Sequence, residues 1–284
     1  MRILLFAVGL AAFAAVPQIA PPATSTPFFF IQLSDPQFGM FTSDREFSQE
    51  TINFEFAVAT VNRLRPAFVV VTGDLVNKAG DVAQIAEYRR IAGKLAPGIP
   101  LYNIAGNHDV ENAPTPAALA AYRQTFGDDR YTFRSGMLLG IVLNSSLIHT
   151  PDSAAVEAEA QLAWLRDEAA RARTSGARHV VVFQHHPWFL KTADEPDQYF
   201  NIPRVRREPL LALFREAGIK TLVSGHYHQN AVVADAGFDA ITTGPVGKPL
   251  GGAKSGIRVF TVSDTAITHR YYEFGEIPTA ITVK

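Results

Sequence analysis

Five short apolar runs in this chain each end in a loop rich in Asp, Asn or His, and that repeated pattern limits the fold more than any other feature. Residues 28–33 lead into Ser34-Asp35-Pro36-Gln37, and 67–72 into Gly73-Asp74. Residues 101–105 lead into Gly106-Asn107-His108-Asp109, 180–183 into Gln184-His185-His186-Pro187, and 221–224 into Gly225-His226-Tyr227-His228. Between the runs lie stretches with helical spacing, 48–64, 82–95, 116–126, 153–173 and 203–217, bounded by Ser, Pro and Gly. Strands that alternate with helices imply an α/β sheet whose strands are buried on both faces. In open α/β sheets ligands bind beyond the carboxyl ends of the strands. The five loops are therefore expected to converge, provided their strands share a sheet. The tail reads differently: 232–233, 238–242, 257–262 and 267–272 are short strands between Gly, Asp and Ser turns. That is an antiparallel pattern, expected to form a second sheet packed on the first.

Composition narrows the chemistry. The chain has 284 residues and no Cys, so disulfides, thiolate nucleophiles and cysteine-held metals are excluded. Lys plus Arg is 26 against 27 for Asp plus Glu, a net charge of −1. A strongly basic face for coating nucleic acid is not available, and no nucleic-acid partner is expected. Arg2 precedes an apolar run over 3–16, with Ala12 and Ala14 at a small-residue exit. This is the pattern of a secretory leader; it is shorter than the roughly 20 residues that span a bilayer. We expect a leader over 1–20, a spacer over 21–26 and a single domain over 27–284. No permanent membrane span and no obligate protein partner are expected, and the compartment is expected to be periplasmic or extracellular.

The polar loops carry a specific donor set. Carboxylates, amides and imidazoles without thiolate suit borderline divalent metals such as manganese, iron, zinc or cobalt. There are more donors than one ion needs, and two ions sharing a carboxylate is the economical reading. In extended chain Asp35 with Gln37, and His226 with His228, would each point two donors one way. Singly these elements are ordinary: Gly-Asp is a common turn, and a lone His is more often a packed residue, as expected for His149, His179 and His269. The joint pattern is what carries weight. His108, His185, His186, His226 and His228 all follow apolar runs.

Gly73-Asp74, Gly106-Asn107-His108-Asp109, His185 and Gly225-His226-Tyr227-His228 together resemble the signature of the calcineurin-like metallophosphoesterase superfamily. Asp35-Pro36-Gln37-Phe38-Gly39 and the stretch from Tyr199 through His228 resemble the subfamily of calcineurin-like phosphoesterase domain-containing protein 1, which includes a proposed serine/threonine phosphatase. The resemblance implies a four-layer α/β/β/α sandwich, two mixed β-sheets flanked by helices, with a dinuclear metal site at the sheet edge. It implies one ion held by Asp35, Gln37, Asp74 and His228, and a second by Asp74, Asn107, His185 and His226, with Asp74 shared. It also implies His108 as a non-ligand catalytic histidine and Asp109 as its orienting partner. Gln37 departs from the superfamily's usual Asp-x-His, and an amide oxygen is a harder, weaker ligand than imidazole.

The implied activity is metal-dependent hydrolysis of phosphomonoesters, phosphoprotein included, by a water activated between two divalent ions (manganese, iron or zinc). The competing readings are a phosphodiesterase or nucleotidase, and a catalytically silent metal-binding scaffold. Substrate choice is expected from loops over the metals, at 38–41 and 188–207. The second loop offers Trp188, Phe189, Tyr199, Phe200, Arg204, Arg206 and Arg207. Arginine can grip phosphate through two bonds, and aromatic rings can stack on a base.

Overall fold

The computed structural model describes residues 26–283. The leader expected over 1–20, and all but the last residue of the 21–26 spacer, lie outside the described residues.

Two sheets form the centre. In the first, β1 (Phe28–Leu33), β2 (Val69–Val71) and β3 (Leu101–Asn103) run parallel. Later in the chain, β10 (Gly256–Val262) pairs antiparallel with β1, and β11 (Ile267–Glu273) pairs antiparallel with β10. The second sheet comprises β4 (Tyr131–Ser135), β5 (Leu138–Val142), β6 (His179–Phe183), β7 (Thr221–Ser224), β8 (Ala231–Asp235) and β9 (Phe238–Thr242). Its order is β4-β5-β6-β7-β9-β8, parallel from β5 through β9 with antiparallel strands at both edges.

Two expectations are corrected here. The tail does not make a sheet of its own: β8 and β9 extend the second sheet beside β7, and β10 and β11 extend the first beside β1. Each pair covers backbone groups that an open sheet edge would leave unpaired. Nor do the five apolar runs share one sheet. β1, β2 and β3 belong to one and β6 and β7 to the other, and the site forms where the carboxyl ends of both meet.

Helices cover the outer faces. They are α1 (Ser48–Leu64), α2 (Val82–Ala92), the single turn α3 (Asn107–Val110), α4 (Pro116–Phe126), the single turn α5 (Ser146–His149), α6 (Ala155–Ala172) and α7 (Arg204–Ala217). Their ends follow local chemistry. Asp81 caps α2 by accepting from the amides of Ala83 and Gln84 at 3.1 Å. Thr115 caps α4 ahead of Pro116, and Gly218 closes α7 at a φ of 76°.

Strand alternation builds three apolar boundaries between four layers. Ile31, Leu33, Val69 and Val71 face Phe54, Val58 and Val61 of α1 and Tyr88 of α2. Their sequence neighbours Phe30 and Val70 point the other way, into a middle layer with Val181, Phe183, Val223 and Phe260. Val182 and Leu222 meet Leu165 of α6 and Phe214 of α7 on the far side. The α/β/β/α sandwich is thus present as expected.

Candidate metal centre

The loops at the strand ends do not run extended. Asp35, Gln37, Asp74, His226 and His228 all take left-handed backbone angles, with φ of 47°, 41°, 51°, 65° and 55°. Positive φ is uncommon for residues with a side chain and concentrates where function fixes geometry. The alternation expected of extended chain is therefore not how these donors are aimed; tight left-handed turns aim them instead. Glycine makes room for this. A Cβ on Gly106 would come within 2.2 Å of the Asp74 amide nitrogen, so only glycine lets the loops after β2 and β3 touch.

Two sets of buried donors result, and they share Asp74. Donor atoms of Asp74, His185 and His226 lie within 4.8 Å of one another, as do those of Asp35, Asp74 and His228. The imidazoles are fixed from behind. His185 Nδ1 lies 2.8 Å from the Thr72 carbonyl, and His228 Nδ1 lies near the Lys248 carbonyl at 2.6 Å. A carbonyl only accepts, so both rings carry their proton on Nδ1 and turn Nε2 inward. There His185 Nε2 meets Asp74 Oδ2 at 3.2 Å and Asn107 Oδ1 at 3.0 Å, and His228 Nε2 meets Asp35 Oδ1 at 3.4 Å.

A ring lone pair against acceptor oxygens needs a positive charge between them, either a proton or a cation. The electrostatics agree. Burial opposes a charge on His185, yet Asp74 and then Asp35 push its pKa up to about 9. Burial also opposes the Asp74 charge, but His185 and His108 outweigh it and hold that carboxyl well below its usual range. Asp35 is raised by burial, with His228 and His185 pulling against it. His226 is pressed well below its ordinary value by burial and by its neighbour His185.

The amides are oriented as well. Asn77 Nδ2 donates to Asp44 at 2.8 Å, so its Oδ1 must receive Gln37 Nε2 at 3.0 Å. Gln37 Oε1 is left buried with no hydrogen-bond partner, and so is His226 Nε2. Asn107 Nδ2 is likewise taken by Asn112, at 2.8 Å. Buried polar atoms are normally satisfied. Two that are not, among carboxylates and with imidazoles pinned to backbone carbonyls, fit a pair of divalent cations.

His108 and Asp109 do not form the expected pair. Asp109 Oδ1 accepts from the amides of Leu75 and Val76, and Oδ2 from Gly106, so its carboxylate braces the loop after β2. The Asn77 carbonyl, 2.7 Å from Nδ1, is what holds His108. The His108 amide donates to Asp74 Oδ1 at 2.9 Å.

The arginines of the 188–207 loop face elsewhere. Arg207 is fully buried and donates to the carbonyls of Trp188, Ile202 and Glu195. Arg204 pairs with Glu208, and Arg206 lies 3.8 Å from Asp152. Trp188 and Phe189 are core. Tyr199 and Phe200 do reach the site, their rings 5.1 and 5.5 Å from that of His226. His149, expected to be a packed residue and not a ligand, stacks on His186 at 4.7 Å, and His186 in turn lies 4.3 Å from His226. Sequence reasoning missed Asn77 and the carbonyls of Thr72 and Lys248. Backbone carbonyls have no sequence signature; Asn77, three residues after Asp74, had one only in its residue type. No helix among the described residues is long and apolar enough to cross a membrane.

The calcineurin-like phosphoesterase family matches residues 30–230. Serine/threonine-protein phosphatase CPPED1 of Danio rerio is 37% identical over 268 residues, 89% of this chain and 87% of that protein. Among solved structures, purple acid phosphatase PPD1 from yellow lupin superposes with a TM-score of 0.68 at 14% identity, over 90% of this chain and 53% of that one. A dimetal phosphatase from Danio rerio superposes with a TM-score of 0.58 at 18% identity, over 87% of this chain and all of that one (100%). The two structures share the fold.

Proposed function

The chain belongs to the calcineurin-like phosphoesterase family and is a metal-dependent phosphoric ester hydrolase, and on that premise we propose that it cleaves phosphomonoesters, phosphorylated serine and threonine side chains among them, outside the cytoplasm. The observation that supports this most is the pair of donor sets sharing Asp74. Asp35, Gln37, Asp74 and His228 would hold one divalent ion; Asp74, Asn107, His185 and His226 would hold the other. Two such ions supply an activated water near neutral pH and positive charge for the phosphoryl oxygens.

The chain's own residues do the rest. His108, with its Nδ1 proton committed to the Asn77 carbonyl, keeps Nε2 for the substrate; with a second proton on Nε2 it would donate to a phosphoryl oxygen or pass that proton to the leaving oxygen. Asp109 fixes the loop that presents Asp74. Tyr199 and Phe200 form an aromatic wall beside His226 against which the alcohol portion of the ester packs. Gln37 in place of an imidazole favours manganese over zinc at the Asp35 set. The apolar run behind Arg2 supports export to the periplasm or beyond.

The test is a substrate panel after metal analysis. Protein stripped and reloaded with manganese, iron or zinc is offered an aryl phosphomonoester, an aryl phosphodiester, nucleotides and a phosphoserine peptide. Turnover led by the monoester and peptide supports the reading. Preference for diester or nucleotide replaces the substrate class. A loaded protein inert on all four is a metal-binding scaffold.

A further inference from the structure

A thread of buried polar side chains crosses the largely apolar layer between the sheets. It starts at Arg258 on β10, which is 3% exposed. No carboxylate among the described residues pairs with this guanidinium. Its partners are Asn230 Oδ1 at 2.6 Å, the Thr242 carbonyl at 3.5 Å, His269 Nδ1 at 2.9 Å and the face of Tyr271. A buried charge without a counter-ion is costly, and a hydrophobic residue of similar volume is often the more stable choice. The thread needs an explanation beyond packing.

Its direction supplies one. Arg258 Nε donates to Thr243 Oγ1 at 2.7 Å. Thr243 Oγ1, having received that bond, donates to Gln32 Oε1 at 2.6 Å. Gln32 Nε2 donates to Thr72 Oγ1 at 2.8 Å, and also to the Ser224 carbonyl at 2.9 Å, which fixes how the amide is turned. Thr72 Oγ1 donates to Ser34 Oγ at 2.9 Å, the shorter of its two contacts, the Leu33 carbonyl lying at 3.3 Å, and Ser34 Oγ donates to Asp35 Oδ2. Arginine cannot accept and a carboxylate cannot donate. The two ends therefore set the polarity of every link. Gln32, Ser34, Thr72 and Thr243 are each fully buried.

We propose that Arg258 is a positioning residue for Asp35: through Thr243, Gln32, Thr72 and Ser34 it delivers a chain of hydrogen bonds, all donated in one direction, that ties down Asp35 Oδ2 and leaves Oδ1 as the metal-facing atom. Oδ1 is the oxygen that lies 3.4 Å from His228 Nε2. Aligned donors polarise one another, so the guanidinium charge is felt at the far end of the chain. The groups behind a ligand fix its orientation and tune its affinity. The Asp74–His185–His226 set meets the thread through backbone groups alone, at the His226 amide on Asp35 and at the Thr72 carbonyl behind His185, so the ion of the Asp35 set is the one whose ligand carboxylate the thread's side chains hold. The inference rests on the dinuclear reading above.

The test titrates manganese into stripped protein by calorimetry, with urea unfolding of each stripped protein alongside. Ser34→Ala, the last link, is expected to weaken one manganese site about tenfold, the low end for such outer partners. Thr243→Val, three residues up the chain from Asp35's own donor, is expected to weaken the same site roughly threefold and leave the other unchanged. Thr243→Ser, which restores the hydroxyl, is expected to restore the affinity. If Thr243→Val does not fold, Arg258→Gln carries the same expectation. Wild-type affinities in these variants overturn the proposal, whatever happens to their urea midpoints. Equal weakening of both sites also overturns it, since that is general loosening. Wild-type protein that binds no manganese, iron or zinc overturns the dinuclear reading and this proposal with it.

Discussion

His108 is placed by two bonds that pull on different parts of it: its amide is held by Asp74, its ring by the Asn77 carbonyl. Neither requires His108 to hold a metal. His108→Ala is therefore expected to keep both ions by metal analysis and to lose about 10²–10⁴-fold in kcat, the usual contribution of a positioned acid or base. Full turnover in that variant would remove the residue from the reaction. His269 makes a second residue-scale case. Burial and the neighbouring Arg258 pull its pKa from 6.5 to about 4. Arg258 donates to its Nδ1, so the folded protein needs that nitrogen unprotonated. The unfolded chain takes up a proton below pH 6.5, and the folded chain only near 4. Stability is thus whole above 6.5 and drains away as pH falls between those values. His269→Asn keeps an acceptor for Arg258 and is expected to flatten that decline in urea midpoints taken from pH 7 to pH 4.5. At this scale the ligand residue types were legible, because no other residues follow five apolar runs so regularly. The Asp109 role was not, since a carboxylate beside a histidine in sequence faces away from it across one turn of α3.

Elements place these residues through contact between loops, and two glycines show the difference between a cap and a contact. Gly218 ends α7 at φ 76° with open space around it. Gly218→Ala is expected to cost about 1 kcal/mol for a left-handed alanine and to leave metal binding alone. Gly225 follows β7, and a Cβ there would lie 2.0 Å from Ser34 Oγ and 2.8 Å from Asp35 Oδ2. Gly225→Ala must push the loop after β7 off the loop after β1. The expected result is roughly 1–3 kcal/mol of overpacking together with a loss of manganese affinity that Gly218→Ala does not share. Urea unfolding and calorimetry on the same two proteins separate the effects, and equal metal affinity in both would mean the loops do not press on each other. The helices were readable from their ends: Ser48 through Leu64 before Pro66, and Pro116 through Phe126 before Gly127, stand where expected. The tail strands misled because short strands between turns reveal antiparallel pairing, not which sheet each pair joins. β10 reaches past the whole second sheet to pair with β1, a choice made by the open edge of β1 and not by its own residues.

The molecule as a whole is two sheets closed on each other by an aromatic stack and, at one edge, by shared ligands. Phe30 lies between Phe68 and Phe260 with ring centroids 4.5 Å from each, and meets Phe183 of the opposite sheet edge-on at 5.9 Å. That contact holds the middle of the sandwich. At its rim Asp35 and Asp74 come from the first sheet, and His185, His226 and His228 from the second, so cation binding requires the sheets to stay together. An opening that parts them loses the ligand set even if each sheet stays folded. Manganese at about 100 times its Kd adds roughly 2.7 kcal/mol to whatever opening destroys the site. Hydrogen exchange should therefore slow on adding manganese at the amides of both β1 and β7, by a similar factor, and speed up again with a chelator. Phe30→Ala, which removes roughly 3–5 kcal/mol of inter-sheet packing, should make exchange in both strands faster and more dependent on manganese. Protection gained in one sheet alone would show that the sheets open independently, and that the metals sit on a single sheet's loops.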